Sequence, residues 1–276
     1  MMRVGWFSTG RGEGSRGLLN FVQGHIARGS LDAKIDFVFS NREPGEAEGS
    51  DRFFQLVDHY GLPLETLSSS KFARSQGKPF AQVREEYDGR VMDRLASYKP
   101  DVCVLAGYML IVSGPMCRRY PLLNLHPALP DGPIGTWQQV IWRLIETRAE
   151  LTGAMVHLAT EEVDRGPVVS HCTVSIAGTK FSPFWDALSD LDLEEVKGSQ
   201  GEDFPLFRLI REVEYSKEPY LLLETLRAVS EGKVAISQGR VVDTSAQGLG
   251  WSSVRGLNLD QEIDRAMAQD GVETSG

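Results

Sequence analysis

The sequence predicts an α/β protein with a doubly wound, mostly parallel sheet and a C-terminal helical extension. Through the first half of its 276 residues, short apolar runs alternate with segments of helical periodicity, as expected for parallel strands joined by crossover helices. A glycine-rich turn follows the first run directly, and polar side chains close a later one. Ligands bind at the carboxyl ends of strands in such sheets, so we expect the functional site there.

The elements of the first half follow from these patterns. Strands are predicted from apolar runs rich in β-branched and aromatic residues, at 3–8, 35–40, 64–67, 102–105 and 122–125. Helices are predicted between them at 18–28, 50–60 and 79–98. Asp51 near the start and Gly61 just past the end support the second of these helices.

The second half is predicted to continue with a helix and two further strands. In chain order, the predicted elements are a helix at 135–148, strands at 153–158 and 168–176, helices at 207–216 and 218–231, and a short helix at 259–268. Gly232 is suited to cap the helix before it. Residues 177–205 are polar and rich in glycine and aspartate, which indicates either an insertion covering the site or a mobile connector.

Composition excludes several classes of protein. The formal charge of -9 gives no reason to expect nucleic-acid binding, although a small anionic ligand can still be held by local N–H groups and arginines. Three widely spaced cysteines do not form a disulfide framework and favour a reducing cytoplasm. We find no zinc-binding motif, export signal or membrane-spanning run, and so expect no metal and no membrane association.

The most informative motif is Asn124-Leu-His-Pro127 at the end of a predicted strand. Strand alternation places Asn124 and His126 on one face, and Asp164 lies in a later loop where Gly166-Pro167 forces a turn. An amide, an imidazole and a carboxylate can stabilise an oxyanion and move a proton, which predicts acyl-transfer chemistry. A lone histidine would more often be a core residue, and Asp164 alone could simply cap a turn.

The segment from Gly12 to Gly17 opens a helix after the first strand and suits phosphate binding by backbone N–H groups. It also matches a dinucleotide fingerprint. The second strand ends in Ser40-Asn-Arg42 rather than an acidic residue, which disfavours NAD, while Arg42 leaves an NADP-binding oxidoreductase open. A plain tight turn is the third interpretation.

Two further residues have no clear role from spacing alone. His157 could equally be packed in the core or lie in the pocket, and Glu218 by its spacing is an ordinary first-turn acid.

At these residues the sequence resembles the folate-dependent formyltransferases, and within them the glycinamide ribonucleotide transformylases. The resemblance covers roughly 2–241 with a break at 177–205. It is carried by Gly14-Ser-Arg16, Val38-Phe-Ser-Asn41, Arg84-Glu-Glu-Tyr-Asp88, Pro100-Asp-Val-Cys-Val-Leu-Ala-Gly-Tyr-Met109, Asn124-Leu-His-Pro127, and Gly153-Ala-Met-Val-His157 leading to Asp164-Arg-Gly-Pro167. It implies a Rossmann-like catalytic domain over 1–242 with the insertion at about 177–205, and a tail at 243–276 that carries the short helix.

The resemblance also implies site residues. The catalytic set is Asn124, His126 and Asp164. The folate pocket is Arg84, Met109, Leu110, Ile111, Val112, Asn124, Thr160 and Asp164. The acceptor site is Gly14, Ser15, Arg16 and Glu218. The resemblance thus favours a substrate-binding role for Glu218 over that of an ordinary first-turn acid.

The implied reaction is transfer of a formyl group from 10-formyltetrahydrofolate to a phosphorylated amine, most closely glycinamide ribonucleotide in purine biosynthesis, by a cytoplasmic monomer or homodimer. The alternatives are an acceptor such as an amino sugar nucleotide, a formyltetrahydrofolate hydrolase and a catalytically silent folate-binding protein. The hydrolases carry an additional N-terminal regulatory domain, whereas this sequence starts at the first strand.

Three departures from the family pattern concern the substrates. The loop Ala128-Leu-Pro-Asp-Gly-Pro133 is shorter than usual, Leu110 stands where an arginine is common, and Arg16 replaces an asparagine. None of these changes removes one of the three catalytic side chains.

Overall fold

The structure is a computed structural model that describes residues 1–188, 191–237, 239–244 and 256–272. The strands are β1 (Met2–Phe7), β2 (Ala33–Ser40), β3 (Leu64–Thr66), β4 (Val102–Leu105), β5 (Leu122–His126), β6 (Leu151–Leu158), β7 (Val168–Ser175), β8 (Val234–Ser237), β9 (Arg240–Asp243) and β10 (Leu257–Asn258). The α-helices are α1 (Glu13–Ala27), α2 (Glu48–His59), α3 (Ser69–Ser75), α4 (Phe80–Arg94), α5 (Gly114–Arg119), α6 (Trp137–Glu146), α7 (Ser182–Ala187), α8 (Leu193–Ser199), α9 (Pro205–Ser230) and α10 (Asp260–Gln269).

The chain divides into two compact units that are interleaved along the sequence. The first contains Met1–Asn124, His157–Pro167 and Leu226–Ser252, and the second contains Leu125–Val156, Val168–Thr225 and Ser253–Gly276. Strands β5 and β6 each begin in one unit and end in the other.

The first unit holds a parallel sheet in the order β3-β2-β1-β4-β5. The chain winds outward from β1 to β3 and then returns beside β1 to add β4 and β5, so the direction of winding reverses between β1 and β4. The crevice at the carboxyl ends of two such strands is the usual ligand site of an open α/β sheet. The glycine-rich turn follows β1 and the segment beginning at Gly107 follows β4, so both segments start at this crevice.

Aromatic residues fill the core on one side of this sheet. Phe7 packs edge-on against Phe37, with ring centroids 5.6 Å apart, and Phe39 and Tyr87 join the same buried cluster. Tyr87 comes from α4, so burial of its ring fixes that helix on the sheet. The predicted mostly parallel, doubly wound fold is confirmed.

The second unit orders its strands β10-β7-β6, and its core is built by α6, α7, α8 and α9. Segment 177–205, for which a mobile connector was one expectation, carries two short helices and buries Phe181, Leu188, Val196 and Phe204 in that core. Their spacing follows no single period because they come from separate short elements. The connector interpretation is therefore wrong for the part of the segment that the structure describes.

Two further predictions need correction. The helices predicted at 207–216 and 218–231 are one helix, α9, with Pro219 inside it. Proline removes one backbone donor, but Phe207 and Ile210 before it and Leu221 after it are all buried, and this packing outweighs the missing bond. Helix α1 begins at Glu13 rather than at residue 18. The prediction began too late because the first turn of the helix is polar and shows no apolar periodicity.

The C-terminal part is more regular than its composition indicates. The predicted short helix is present as α10, and Gly232 adopts the left-handed conformation (φ 72°) expected of a residue ending a helix. Leu257 and Asn258 pair in parallel with Ser170 and His171 of β7, a strand that was not predicted. Among the described residues, no helix combines the length and apolar character needed to cross a bilayer.

Candidate active site

Asn124, His157 and Asp164 meet in the first unit. The Asn124 Nδ2 group donates a hydrogen bond to Asp164 Oδ1 at 3.3 Å and lies 3.1 Å from Nε2 of His157. His157 Nε2 is 3.6 Å from the same carboxylate oxygen. The structure thus brings together two of the three residues predicted to be catalytic and adds an imidazole that the sequence left undecided.

The hydrogen bonds of His157 define its tautomer. Its Nδ1 lies 3.0 Å from the carbonyl oxygen of Leu158, so Nδ1 carries a hydrogen and donates it. Nε2 then accepts from the Asn124 amide. The ring is 1% exposed. An imidazole held in this way directs the amide N–H groups of Asn124 toward His157 and Asp164.

Asp164 lies in the loop between β6 and β7, as predicted, and its backbone is left-handed (φ 55°). Aspartate tolerates this conformation better than most side chains because it is short and polar. The loop folds tightly back on β6: Leu158 N donates to Pro167 O at 2.9 Å, and a Cβ at Gly166 would lie 1.7 Å from Leu158 O. Gly166 is therefore required for the approach that sets the position of Asp164.

His126 ends β5 in the second unit, and its side chain is buried. Its Nε2 lies 3.2 Å from the carbonyl oxygen of Pro133, so this nitrogen donates. Pro133 closes the shortened loop noted in the sequence, where Asp131 is left-handed (φ 67°) and Gly132 N bonds to Leu129 O at 2.8 Å. The departure from the family pattern thus contacts a predicted catalytic residue directly.

The predicted phosphate loop opens α1 as expected, with Gly12 as its N-cap and no side-chain cap. Ser15 is buried against Gly107, where an added Cβ would lie 2.5 Å from Ser15 Oγ. Gly14 and Arg16 are half-buried. Nη1 of Arg16 is buried and has no hydrogen-bond partner within the described part of the chain, so a guanidinium donor next to a helix N-terminus is left for an anion.

Thr9 connects this loop to the segment after β4, a role that the sequence analysis missed. Its Oγ1 donates to Asn41 Oδ1 at 2.7 Å and accepts from the backbone N of Met109 at 2.9 Å. Its carbonyl oxygen accepts from Ser50 Oγ at 2.9 Å. Arg42, the possible ligand of an NADP phosphate, donates to Ser50 Oγ at 3.2 Å. No local sequence signal marks Thr9, because its partners come from three distant segments.

A cavity of about 440 Å³ in the first unit is lined by two of the predicted folate residues, Arg84 and Val112. Arg84 of α4, Val112 and the loop residue Glu161 line it, and Arg118 of α5 pairs with Glu161 at 2.8 Å. Thr160 is half-buried, and its Oγ1 donates to Glu162 O at 2.9 Å.

The Met109–Val112 segment beside this cavity splits into two faces. Met109 and Ile111 are exposed apolar side chains, whereas Leu110 packs against the core and Val112 is buried in it. Asp88, one turn after Arg84, accepts from Ser113 N at 2.6 Å and so fixes the start of α5. Burial raises the pKa of the Asp88 carboxyl.

Glu218 lies on α9 in the second unit and is buried. Its carboxylate binds Nη1 of Arg211, two turns earlier on the same helix. The Arg211 guanidinium lies 4.8 Å from the ring centroid of Trp137 and 4.6 Å from that of Tyr215, so two aromatic faces hold it in place. The spacing of Glu218 alone marked it only as an ordinary first-turn acid, because its partners are brought together by helix packing, and its place in the predicted acceptor site came from the family resemblance.

No group of metal-binding side chains occurs among the residues that the structure describes. The three cysteines are free: Cys103 and Cys172 are buried and Cys117 is half-buried.

Comparison with known proteins identifies the family. The family model described as formyl transferase matches residues 14–182. The phosphoribosylglycinamide formyltransferase of Escherichia coli is 32% identical over 172 residues, which cover 61% of this chain and 70% of that protein. A formyltetrahydrofolate deformylase of Haemophilus influenzae is 26% identical over 155 residues, covering 55% of this chain and 48% of the deformylase. The chain thus spans about half the length of that relative.

Solved structures agree on the fold. A glycinamide ribonucleotide transformylase 1 from Symbiobacterium toebii aligns with a TM-score of 0.60 at 24% identity, covering 87% of this chain and 93% of that chain. The matched family region includes Asn124, His126, His157 and Asp164. Because the match takes in more than half of the sequence, the protein belongs to the formyl transferase family.

Proposed function

We propose that the protein transfers the formyl group of 10-formyltetrahydrofolate to the primary amine of a phosphorylated substrate, with glycinamide ribonucleotide as the first candidate. The observation that carries this proposal is the hydrogen-bonded cluster of Asn124, His157 and Asp164. It offers an amide donor and a carboxylate side by side, which is what an acyl transfer between two nitrogens needs.

In the proposed reaction, the amine nitrogen attacks the formyl carbon and forms a tetrahedral intermediate whose oxygen becomes negative. Asn124 and protonated His126 donate hydrogen bonds to that oxygen, and one such donor is worth about 2.7 to 4 kcal/mol of the barrier. Asp164 favours the protonated imidazole and takes part in moving the amine proton to the departing folate nitrogen. The bond from carbon to that nitrogen then breaks, which leaves formylated amine and tetrahydrofolate.

The acceptor is proposed to be phosphorylated because of the loop after β1. Gly14 and Ser15 lie in the first turn of α1. Arg16 Nη1, which has no hydrogen-bond partner among the described residues, adds a positive donor to the helix N-terminus. Glu218 supplies a buried carboxylate for the acceptor's own donors. Similarity to the phosphoribosylglycinamide formyltransferase of Escherichia coli supports glycinamide ribonucleotide among phosphorylated amines.

The co-substrate is proposed to bind in the cavity lined by Arg84, Val112 and Glu161, with Met109, Leu110, Ile111, Thr160 and Asp164 completing its site. Tetrahydrofolate combines flat apolar rings with a carboxylate-bearing tail. An exposed apolar segment beside a guanidinium offers both kinds of contact. We expect no metal, no nucleic acid and no membrane partner, a cytoplasmic location, and a monomer or homodimer.

The first experiment follows tetrahydrofolate release from 10-formyltetrahydrofolate with a panel of amines that includes glycinamide ribonucleotide. We expect release with the phosphorylated amine, and a loss of at least about 100-fold in kcat for Asp164→Asn and for His126→Ala. Folate binding, followed by fluorescence quenching, should persist in both variants. No release with any amine, or full turnover in both variants, would contradict the proposal.

A formyltetrahydrofolate deformylase is the second candidate, favoured by the Haemophilus influenzae relative. Water would then replace the amine, and the same oxyanion donors would serve hydrolysis. The two activities differ in their products, because hydrolysis releases formate without any amine. Formate production at an equal rate with and without glycinamide ribonucleotide would favour the deformylase.

A further inference from the structure

Glu214 is a buried acid that the proposed reaction does not use. It lies on α9 in the second unit and is 1% exposed. Its Oε1 accepts a hydrogen bond from the hydroxyl of Thr152 on β6. Its Oε2 is buried and finds no hydrogen-bond partner in the portion of the chain that the structure describes. A buried carboxylate with one of its oxygens unpaired is costly, so this side chain needs an explanation.

The neighbouring charges give that explanation. Glu218 follows Glu214 by four residues on the same helix, so the two carboxyl groups lie one turn apart on the same face. Arg211 is the cation that binds Glu218, and the rings of Trp137 and Tyr215 restrict its position. One guanidinium balances one carboxylate. If Glu214 were also ionised, a second buried negative charge would compete for Arg211 and repel Glu218.

We propose that Glu214 is a positioning residue of the acceptor site, in which the neutral acid, held by Thr152, leaves Arg211 to Glu218 and so keeps the Glu218 carboxylate oriented for the acceptor. The inference rests on the proposed function, because it takes Glu218 as a ligand of the acceptor. It adds to that function a residue whose protonation state sets acceptor affinity.

The electrostatics around the cluster agree with this geometry. Burial, which the nearby Glu218 reinforces, raises the pKa of Glu214 to about 8, against the opposing effects of the Thr152 hydroxyl and Arg211. Three charged groups, Lys217 on α9, Asp260 on α10 and Glu218 itself, act electrostatically on the Cys172 thiol of β7, so all four side chains lie in one region. Burial raises the pKa of Cys172 to about 12, so the thiol stays neutral in the range considered. With a pKa of about 8, Glu214 changes charge within the pH range that the test covers.

The test measures KM and kcat for glycinamide ribonucleotide at saturating 10-formyltetrahydrofolate from pH 6.5 to 9.5. Glu214→Gln mimics the neutral acid. We expect the KM of the wild-type protein to rise as the pH passes 8. This rise should exceed the rise in the KM of Glu214→Gln by about threefold or more, while kcat follows the same pH profile in both proteins. Comparing the two proteins cancels the titration of the amine itself. Thr152→Val should shift the rise in KM to higher pH, because the hydroxyl favours the ionised form.

Two controls separate this inference from the proposed function. Glu212→Gln removes an exposed acid of the same helix and should leave the KM profile of the wild-type protein unchanged. Glu218→Gln should raise KM at every pH. Coincident profiles for wild type and Glu214→Gln, with Glu218→Gln impaired, overturn the role of Glu214 alone. An unchanged KM in Glu218→Gln, or no turnover of glycinamide ribonucleotide, overturns the acceptor site and with it this inference.

A second measurement does not depend on turnover. Infrared difference spectra between pH 6.5 and 9.5 should show loss of a protonated carboxyl band in the wild-type protein and no such band in Glu214→Gln. A Glu214→Gln protein that shows the same band loss as wild type would contradict the assignment. Since glutamine is nearly isosteric with the neutral acid, this variant should fold normally.

Discussion

His157 shows how a single side chain can set the geometry of an amide that we propose to be catalytic. Its Nδ1 donates to Leu158 O, and its Nε2 therefore accepts from Asn124. The amide is held with its N–H groups toward His157 and Asp164, where a developing oxyanion can replace one of these partners. The histidine acts through Asn124, so we regard it as a positioning residue.

We predict that His157→Leu lowers kcat by about tenfold, because loss of one buried hydrogen bond costs about 1 to 2 kcal/mol and frees the Asn124 amide to rotate. KM for both substrates should change little. Steady-state kinetics would measure the split between kcat and KM. His59→Leu, an exposed histidine of α2, is the matched control. Equal kcat in His157→Leu and wild type would exclude the positioning role.

At the scale of elements, the position of Asp164 depends on how closely the loop after β6 returns to its own strand. The closest approach is at Gly166, where a Cα hydrogen faces Leu158 O. A backbone hydrogen bond from Leu158 N to Pro167 O holds the two segments together. Gly114 also has a close neighbour, but there it is the end of the exposed Glu161 side chain, which can rotate away.

We predict that Gly166→Ala destabilises the protein by about 1 to 3 kcal/mol and also lowers kcat, because a backbone oxygen cannot move aside as a side chain can. Gly89→Ala on α4, where an added Cβ meets nothing within 4 Å, should stabilise by about 0.5 to 1 kcal/mol. Urea denaturation gives both values. A Gly166→Ala variant as stable as wild type would show that the loop has another way to close.

For the whole molecule, Glu214 makes stability depend on pH in an unusual direction. Its pKa is raised from an ordinary value of 4.5 to about 8, mainly by burial, so the folded state holds a proton that the unfolded state releases. This contribution is fully present below about pH 4.5 and is lost as pH rises to about 8. Most carboxylates in folded proteins act in the opposite sense.

We predict that wild-type stability falls by a few kcal/mol between pH 5 and pH 8 relative to Glu214→Gln, since each pH unit in that window costs at most about 1.4 kcal/mol. The measurement is the free energy of unfolding from urea titrations of both proteins at four pH values. Parallel curves for the two proteins would mean that Glu214 is already ionised in the folded state. Glu212→Gln should track the wild type.

The sequence by itself determined the α/β class, the strands of the first unit and the placement of Asn124 and His126 at a strand end. These features follow from local periodicity and from turn residues such as Gly12 and Gly232, whose conformational preferences act within a few positions. It also supplied the family, because several short motifs in a fixed order carry that information together.

Tertiary structure alone decided which distant groups meet. Thr9, His157 and Glu214 acquire their roles from partners far away along the chain, and no local pattern distinguishes them from ordinary buried residues. The same reason explains why α9 continues through Pro219 and why residues 177–205 are helical in part. Burial of apolar side chains against other elements outweighs local propensity there, and that free energy depends on contacts that the linear sequence does not display.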